Sequence, residues 1–437
     1  MNTKVRKKFT KYVSLNVLGM IAISCYILAD TFFIADGIGS LGIVALNLCL
    51  PFYNLIFGIG LMLGTGGGIR YSVLIANNEN EKANRIFTNV FLFGLIIGII
   101  FLVAGLNFSV EIVSMLGAEG IVLEYASVYF KIFMTFSPLF ITNEIFLTFV
   151  KNSGSPKLGM ASMIIGSVMN VILDYIFIMQ LDMGMAGAAF ATICSPTISI
   201  FLILPYILFK KNKLYFVRTK LELKILLTSC RLGINAFINE FGFGLVMMLF
   251  NFRILALQGN IGVAAYGIVA NIAIVVSAIF SGIAFGVQPI LSKSYARGNL
   301  KEEKAILKLA VAVTVVTFIL FYVILTVFST PIANLFNKEN DALLLELSKE
   351  AIYIYLFGYL FASLNLVIGQ YFASVELPKY SFIISLMHAG LVIIPLMYIL
   401  SFLMGMTGIW LSFGIAELII FIVCIRFLSL KNHSVVK

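Results

Sequence analysis

Long apolar stretches, separated by short polar breaks, run along the whole chain. As a helix, a stretch of about 20 apolar residues is long enough to cross the hydrocarbon core of a bilayer. The short alternating segments of a membrane β-barrel are absent from the sequence. The pattern therefore predicts an all-α polytopic membrane protein with twelve transmembrane helices. These spans are expected near residues 12–35, 44–70, 86–108, 124–150, 158–180, 185–209, 225–256, 261–291, 304–330, 349–374, 380–403 and 408–430.

The distribution of basic residues predicts the orientation of the chain. The N-terminus, the C-terminus and the loops after spans 2, 4, 6, 8 and 10 carry most of the 30 Lys and Arg residues. The loops after spans 1, 3, 5 and 11 carry none. Basic loops stay on the cytoplasmic side of a membrane, so both termini are predicted to be cytoplasmic, in the cell membrane. The net charge of +10 is explained by these loops, and no nucleic-acid partner is expected.

Composition excludes several other classes of protein. With 61% hydrophobic and 11% charged residues, a soluble chain of this length would need about twice the charge to cover its surface. The five cysteines form no CxxC pair, which favours apolar packing over a disulfide frame or a metal site. The glycine-rich stretch at 58–70 lacks the lysine of a nucleotide-binding loop and is typical of close helix packing. No ATP-binding domain, cofactor site or enzyme constellation is indicated, so active transport would draw on an ion gradient.

Short sequence repeats divide the chain into two halves. "GIVALNL" at 42–48 aligns with "GVAAYGI" at 262–268, and "MGMAG" at 183–187 aligns with "MGMTG" at 404–408. Two further pairs occur at nearly the same offset, which indicates a duplicated six-span unit. We expect an N-lobe at 1–209, a cytoplasmic linker at 210–224 and a C-lobe at 225–437. Because six is even, a pseudo-two-fold axis along the membrane normal would relate the lobes, with a cavity between them, as in transporters.

Acidic residues inside the spans mark candidate sites. A charged residue at the bilayer centre costs roughly 2.5–3.5 kcal/mol on insertion scales, so each needs a protein or water environment. A structural hydrogen bond or ion pair is the alternative to a functional role in each case. The acids within spans are Asp30, Glu144, Asp174, Glu240 and Glu417.

Asp174 has polar neighbours that predict a site for a coupling cation. Asn170 precedes it by four residues and shares its helical face. Thr192 in the next span and Asp30 at the outer end of span 1 are expected to approach it. These oxygens could hold a monovalent cation such as Na⁺, and buried carboxyls could instead take up and release protons. The residues leave both alternatives open.

Several segments resemble the MATE (multidrug and toxic compound extrusion) family of transporters, especially its MepA-like and DinF-like bacterial branch. They are "LADTFFIADGIGSLGIVALNL", "FVKNSGSPKLGMASMIIGSVMNVILDYIFI", "GVAAYGIVANI", "GVQPILSKSYARGN" and "GIWLSFGIAE", in this order along nearly the whole chain. The resemblance implies a two-lobe MATE-type antiporter that expels small organic, often cationic or amphipathic, compounds in exchange for H⁺ or Na⁺. We expect such a protein to act as a monomer in the lipid bilayer.

The resemblance also implies roles for single residues. Asp30, Asn170, Asp174 and Thr192 match the N-lobe cation site of the family, including a Na⁺ site in some members. Glu240 corresponds to a C-lobe glutamate of span 7, and with His388 it makes a candidate C-lobe site for protons or substrate. The chain departs from the family at His388, where an arginine is expected, and at Asp36, where a glycine is usual. It also lacks an aspartate in span 10.

A flippase or exporter of a lipid-linked or amphipathic metabolite is the alternative function within the same fold superfamily. Such flippases line their cavity with several Arg and Lys residues that bind phosphate groups. The spans of this chain hold almost none, which favours multidrug export.

Overall fold

The first half of the chain folds into six apolar helical spans. The computed structural model describes residues 3–209, 213–336 and 341–435, which are almost entirely helical. Span 4 is bent by 51° at Phe136, just before Pro138, and span 5 ends in a π-helix. The six spans are Thr3–Gly37, Ser40–Ala76, Asn80–Met115, Gly120–Thr135 with Ser137–Ser153, Pro156–Asp174 with Tyr175–Gln180, and Gly184–Leu208.

The second half repeats this arrangement. Spans 7 and 8 are Leu223–Gly259 and Ile261–Ala296, which follow each other across a non-helical Gly259. Span 9 is Leu300–Val327, followed by a short helix, Ser329–Phe336. Span 10 consists of Ala342–Ile354, Leu356–Gly358 and Tyr359–Ser374. Spans 11 and 12 lie within Pro378–Lys431.

Helix length settles how the last segment is divided. The 54 residues of Pro378–Lys431 would extend about 80 Å as one helix, far more than the ~30 Å hydrocarbon core. Gly405 interrupts the helix with a φ of 60° and so separates span 11 from span 12. A π-helix, Met387–Leu391, interrupts span 11 itself. The described residues therefore contain twelve spans, and the predicted fold class is confirmed.

Backbone conformation carries the same repeat as the sequence. Residues with positive φ recur at a separation of 220 to 222 positions, each at the junction between two helices. The four pairs are Gly39 with Gly259, Asn78 with Gly298, Gly154 with Glu376, and Gly184 with Gly405. Because a positive φ defines a turn of particular geometry, both halves turn in the same way at equivalent places.

Buried apolar side chains form two large clusters. One draws on residues between Ile34 and Leu214, the other on residues between Val246 and Cys424. The beginning of span 1 joins the second cluster through Phe9, Tyr12 and Val13. Span 1 therefore packs against both halves. The exact limits of the two lobes stay a prediction.

The described residues between spans 6 and 7, 213–222, form no helix or strand and lie along span 3. Three polar side chains of span 3, at positions 84, 88 and 89, accept hydrogen bonds from backbone N–H groups of this stretch. Asn84 accepts from Tyr215 N at 2.8 Å, Thr88 from Val217 N at 3.1 Å and Asn89 from Glu222 N at 2.8 Å. Residues 210–212 of the predicted linker lie outside the described part of the chain. We call the end of the molecule with this stretch and the junctions at 77–79, 154–155, 297–299 and 375–377 the basic face.

Candidate functional site

Asp30 of span 1 and Asp174 of span 5 meet inside the first half. Asp174 is fully buried and Asp30 is 9% exposed, and their carboxyl groups interact directly with each other. Asp174 is the last α-helical residue before the π-helix Tyr175–Gln180. A π-helical turn is wider than an α-helical one and is frequent at functional sites. The structure thus brings together the two acids that the sequence predicted as neighbours.

Asn170 and Thr192 border this acid pair in different ways. Asn170 is fully buried one turn before Asp174. The hydroxyl of Thr192 donates to the carbonyl oxygen of Ala188 at 2.9 Å and lies beside the hydroxyl of Tyr129. Tyr129, from span 4, also interacts with both Asp30 and Asp174. Sequence reasoning missed Tyr129 because one tyrosine in an apolar span carries no distinguishing signal.

Several polar atoms of this group have no hydrogen-bond partner among the described residues. They are Oδ1 of Asp30, both carboxyl oxygens of Asp174, and Oδ1 and Nδ2 of Asn170. Buried polar atoms are rarely left without partners, and such a cluster is typical of a place that binds an ion or proton. Carboxylate and amide oxygens suit a hard cation. Within the described residues, no group of three or more His, Cys, Asp or Glu side chains is placed to hold a metal ion.

A pair of tyrosines links the acid pair to the boundary between the two halves. The hydroxyls of Tyr26 in span 1 and Tyr53 in span 2 lie 3.1 Å apart. Tyr26 interacts with Asp30 and Asp174, and Tyr53 interacts with Glu144 of span 4. These side chains form a polar series from the interior of the first half to Glu144. The sequence did not reveal it, since the five residues come from four different spans.

Glu144 and Glu240 bring acidic side chains from the two halves into one region. Glu144 belongs to span 4 and Glu240 to span 7, and the charge of Glu240 acts on Glu144. Asn143 donates to Glu144 Oε1 at 3.1 Å, and Lys151, two turns further along span 4, also interacts with Glu144. The region between the halves therefore contains two carboxyl groups together with the ammonium group of Lys151. This is the environment in which the structure places the predicted residue Glu240.

His388 lies in a separate network within the second half. Its Nδ1 is 2.7 Å from Glu417 Oε1, and Asn365 donates to Glu417 Oε2 at 2.9 Å. Glu417 is fully buried, and His388 stands in the π-helix of span 11. His388 therefore pairs with Glu417 of span 12. The partners Glu417 and Asn365 were not predicted for His388.

The two halves differ in chemistry although they share a fold. At the repeat offsets of 220 and 222, Asp30 corresponds to Phe250 and Asp174 corresponds to Leu396. The second half thus lacks an equivalent of the acid pair, and its buried acids Glu303 and Glu417 occupy different places.

At the basic face the two halves are in direct contact. Asn152 and Gln288 exchange two side-chain hydrogen bonds of 3.1 Å, and Lys293 Nζ donates to the carbonyl oxygen of Asn152 at 2.8 Å. Arg70 and Glu376 form an ion pair of 2.8 Å. The interior between the halves is closed at this end.

Glycines allow the closest approach of spans 2 and 7. A Cβ added at Gly66 would lie 1.8 Å from the carbonyl oxygen of Ser229, and one added at Gly233 would lie 2.0 Å from that of Met62. Only residues without a side chain let two helix backbones come this near.

Twelve spans in two similar halves, with buried acids in the first half and more acids between the halves, define a membrane transporter rather than an enzyme. The sequence matches the profile of the MatE family over residues 17–176 and 235–399, and the chain belongs to this family. This confirms the family resemblance found in its motifs.

Similar proteins and structures agree with this assignment. The chain is 29% identical over 399 residues to the multidrug export protein MepA of Staphylococcus saprophyticus, covering 87% of this chain and 85% of that protein. It is 27% identical over 412 residues to MepA of Staphylococcus aureus, covering 92% and 88%. A crystal structure of a MATE protein in complex with MaL6 has a TM-score of 0.93 at 19% identity and covers 99% of both chains. An outward-facing MATE transporter of the MOP superfamily also has a TM-score of 0.93 at 19% identity, covering 98% and 96%.

Proposed function

We propose that this protein exports small organic compounds, cationic or amphipathic, in exchange for H⁺ or Na⁺ by alternating access. Membership of the MatE family and the similarity to multidrug export proteins MepA support multidrug efflux. The basic face would be cytoplasmic, with both termini on that side and the protein in the cell membrane as a monomer. The lobes 1–209 and 225–437, joined by the linker 210–224, would rock against each other.

The acid pair Asp30 and Asp174 is the observation that carries the coupling mechanism. Two buried carboxyls that face each other cannot both be ionised at low cost without a bound cation. Uptake of a proton by either carboxyl, or of Na⁺ by the oxygens of Asp30, Asn170, Asp174 and Thr192, removes this penalty. Loaded and unloaded states then differ in the charge buried within the first half, and that difference can favour different arrangements of spans 1 and 5.

Glu144 and Glu240 support a cationic substrate. Two carboxyls from opposite halves would attract a positively charged compound between the lobes. A flippase for a lipid-linked phosphate would instead require basic side chains in this region. Glu144 and Glu240 therefore favour multidrug export over the flippase alternative.

Transport in proteoliposomes tests this function. We expect a proton or Na⁺ gradient to drive ethidium transport by the purified protein. Asp174→Asn should abolish this transport. Asp36→Asn is the matched control, because Asp36 is an exposed acid on span 1. Equal transport by Asp174→Asn and Asp36→Asn would contradict the coupling role of the acid pair. Failure of the wild-type protein to transport ethidium under either gradient would contradict the export of organic cations.

A further inference from the structure

A cavity of about 360 Å³ opens at the basic face between the two halves. Its walls come from spans 2, 3, 7 and 11, from the end of the linker and from the junction between spans 10 and 11. Its volume lies in the range of small-molecule sites. It lies at the end of the molecule that carries the basic loops, and neither residue of the acid pair lines it. Because both halves line it, the cavity depends on the contact between them.

Three basic and two acidic side chains line this cavity. Arg70, Lys224 and Arg231 are its cationic residues, and Glu222 and Glu376 are its acidic ones. Both acids already have partners, since Glu376 pairs with Arg70 and Glu222 pairs with Arg85 outside the cavity.

Lys224 and Arg231 are the two cations available to a ligand. Both are exposed, and neither makes an ion pair within residues 3–209, 213–336 and 341–435. They are seven residues apart on span 7, so their side chains project from one face of the helix.

The remaining walls suit a negatively charged group with an apolar extension. Span 7 begins at Leu223 and span 11 at Pro378, next to the cavity, and neither helix has a side-chain cap at its N-terminus. The positive ends of two helix dipoles add to the basic side chains. Ile225 and Leu232 contribute an apolar wall beside the charges.

We propose that this cavity binds a phosphate-bearing anion through Lys224 and Arg231, with Arg70 as a third contact that Glu376 competes for. A phospholipid headgroup and a free phosphate compound share this chemistry. Basic pockets between transmembrane helices at a cytoplasmic surface bind anionic headgroups by the same interactions. Binding at this site does not require transport, so the binding proposal can be tested independently of the export function.

Thermal unfolding of the full-length protein in neutral detergent provides the test. The fluorescence of Trp410, the single tryptophan and fully buried, reports unfolding. One arm adds short-chain phosphatidylglycerol, with phosphatidylcholine of the same chains as its comparison. The other arm adds inorganic phosphate or pyrophosphate, with chloride at equal ionic strength as its comparison. A ligand that binds the folded state raises the unfolding temperature in a concentration-dependent way.

We expect the ligand of one arm to raise the unfolding temperature of the wild-type protein. That ligand identifies the source of the phosphate. In Lys224→Gln/Arg231→Gln the apparent affinity should fall about tenfold or more, because each basic residue contributes about 1 kcal/mol to attraction of an anionic surface. Lys301→Gln/Lys304→Gln is the matched control, since both lysines are exposed basic residues on span 9 outside the cavity. Glu376→Gln should strengthen binding because it frees Arg70, an effect opposite to that of general damage to the fold.

Three results would overturn the proposal. The first is an absence of stabilisation in both arms. The second is an equal loss of affinity in the cavity variant and in the matched control. The third is weaker binding by Glu376→Gln than by the wild type.

Discussion

Asn152 and Gln288, one from each half, exchange two hydrogen bonds of 3.1 Å at the basic face. Both side chains are buried, at 0% and 3% exposure. Such a pair forms only while the ends of spans 4 and 8 are together. It therefore contributes to the arrangement that is closed at this face and is lost when the halves separate there.

Gln288→Leu should weaken this closed arrangement by about 1–3 kcal/mol, because it leaves the amide of Asn152 without one of its buried partners. Native Cys230, partly buried on span 7 next to the close approach of Ser229 to Gly66, serves as the reporter. Its alkylation, followed by mass spectrometry, should be faster in Gln288→Leu than in the wild type. Asn107→Leu is the control, since exposed Asn107 donates only to the carbonyl oxygen of Val103 in its own helix. Identical alkylation rates in the two variants would show that the Asn152–Gln288 pair does not hold the face closed.

Gly233→Ala should impair transport at least about tenfold. The new methyl group would lie 2.0 Å from the carbonyl oxygen of Met62, so spans 2 and 7 must move apart. Gly267→Ala in span 8 is the matched control, because nothing lies within 4 Å of its added Cβ. Alanine at that position should leave ethidium efflux unchanged and favour the helix by up to about 1 kcal/mol. Efflux and thermal stability of both variants check this, and an active Gly233→Ala would contradict the need for close approach.

Asn170→Leu should increase thermal stability and reduce ion-driven efflux about tenfold. It removes two buried polar atoms that have no hydrogen-bond partner among the described residues. Each such atom lowers the free energy of unfolding by roughly 1–3 kcal/mol. A gain in stability with a loss of function is the usual result of replacing residues that serve a binding site.

Asn365→Leu is the matched comparison for this prediction. Asn365 is buried to 1% exposure and donates to Glu417, so its loss should lower stability. Efflux of Asn170→Leu under separate proton and Na⁺ gradients also distinguishes the coupling ions, because an amide oxygen matters more for a Na⁺ site than for a carboxyl that binds a proton. Destabilisation by both substitutions would contradict a ligand-binding role for Asn170.

Glu240→Gln and Glu144→Gln should each weaken the apparent affinity for ethidium several-fold, since each removes one of the two carboxyls between the halves. The effect should change little with salt, because salt screens buried charges much less than exposed ones and Glu144 is buried. Glu124→Gln, an exposed acid at the other end of span 4, is the control. The concentration dependence of efflux at low and high ionic strength measures the change. If all three variants have the same apparent affinity for ethidium, Glu144 and Glu240 do not recognise the substrate.

The limits of sequence reasoning are clearest at single residues. Asp30 and Asp174 were identifiable because an acid in an apolar span is costly wherever it lies. Tyr26, Tyr53 and Tyr129 were not, since tyrosine is ordinary in such spans and only its neighbours give it a role. His388 was singled out as one of two histidines, but its partner Glu417 could not be assigned. The proposed roles of Asp30, Asn170, Asp174, Thr192, Glu240 and His388 stay predictions.

The sequence by itself determined the number of spans, the repeat and the family, because each depends on contiguous stretches of the chain. An apolar helix must be long enough to cross the bilayer, and its ends are marked by polar and glycine residues in the same stretch. Only the tertiary structure decided which distant side chains meet, including His388 with Glu417 and Asn152 with Gln288. Those contacts depend on how helices pack in three dimensions, through the close approach of small residues, which hydropathy along the chain does not encode.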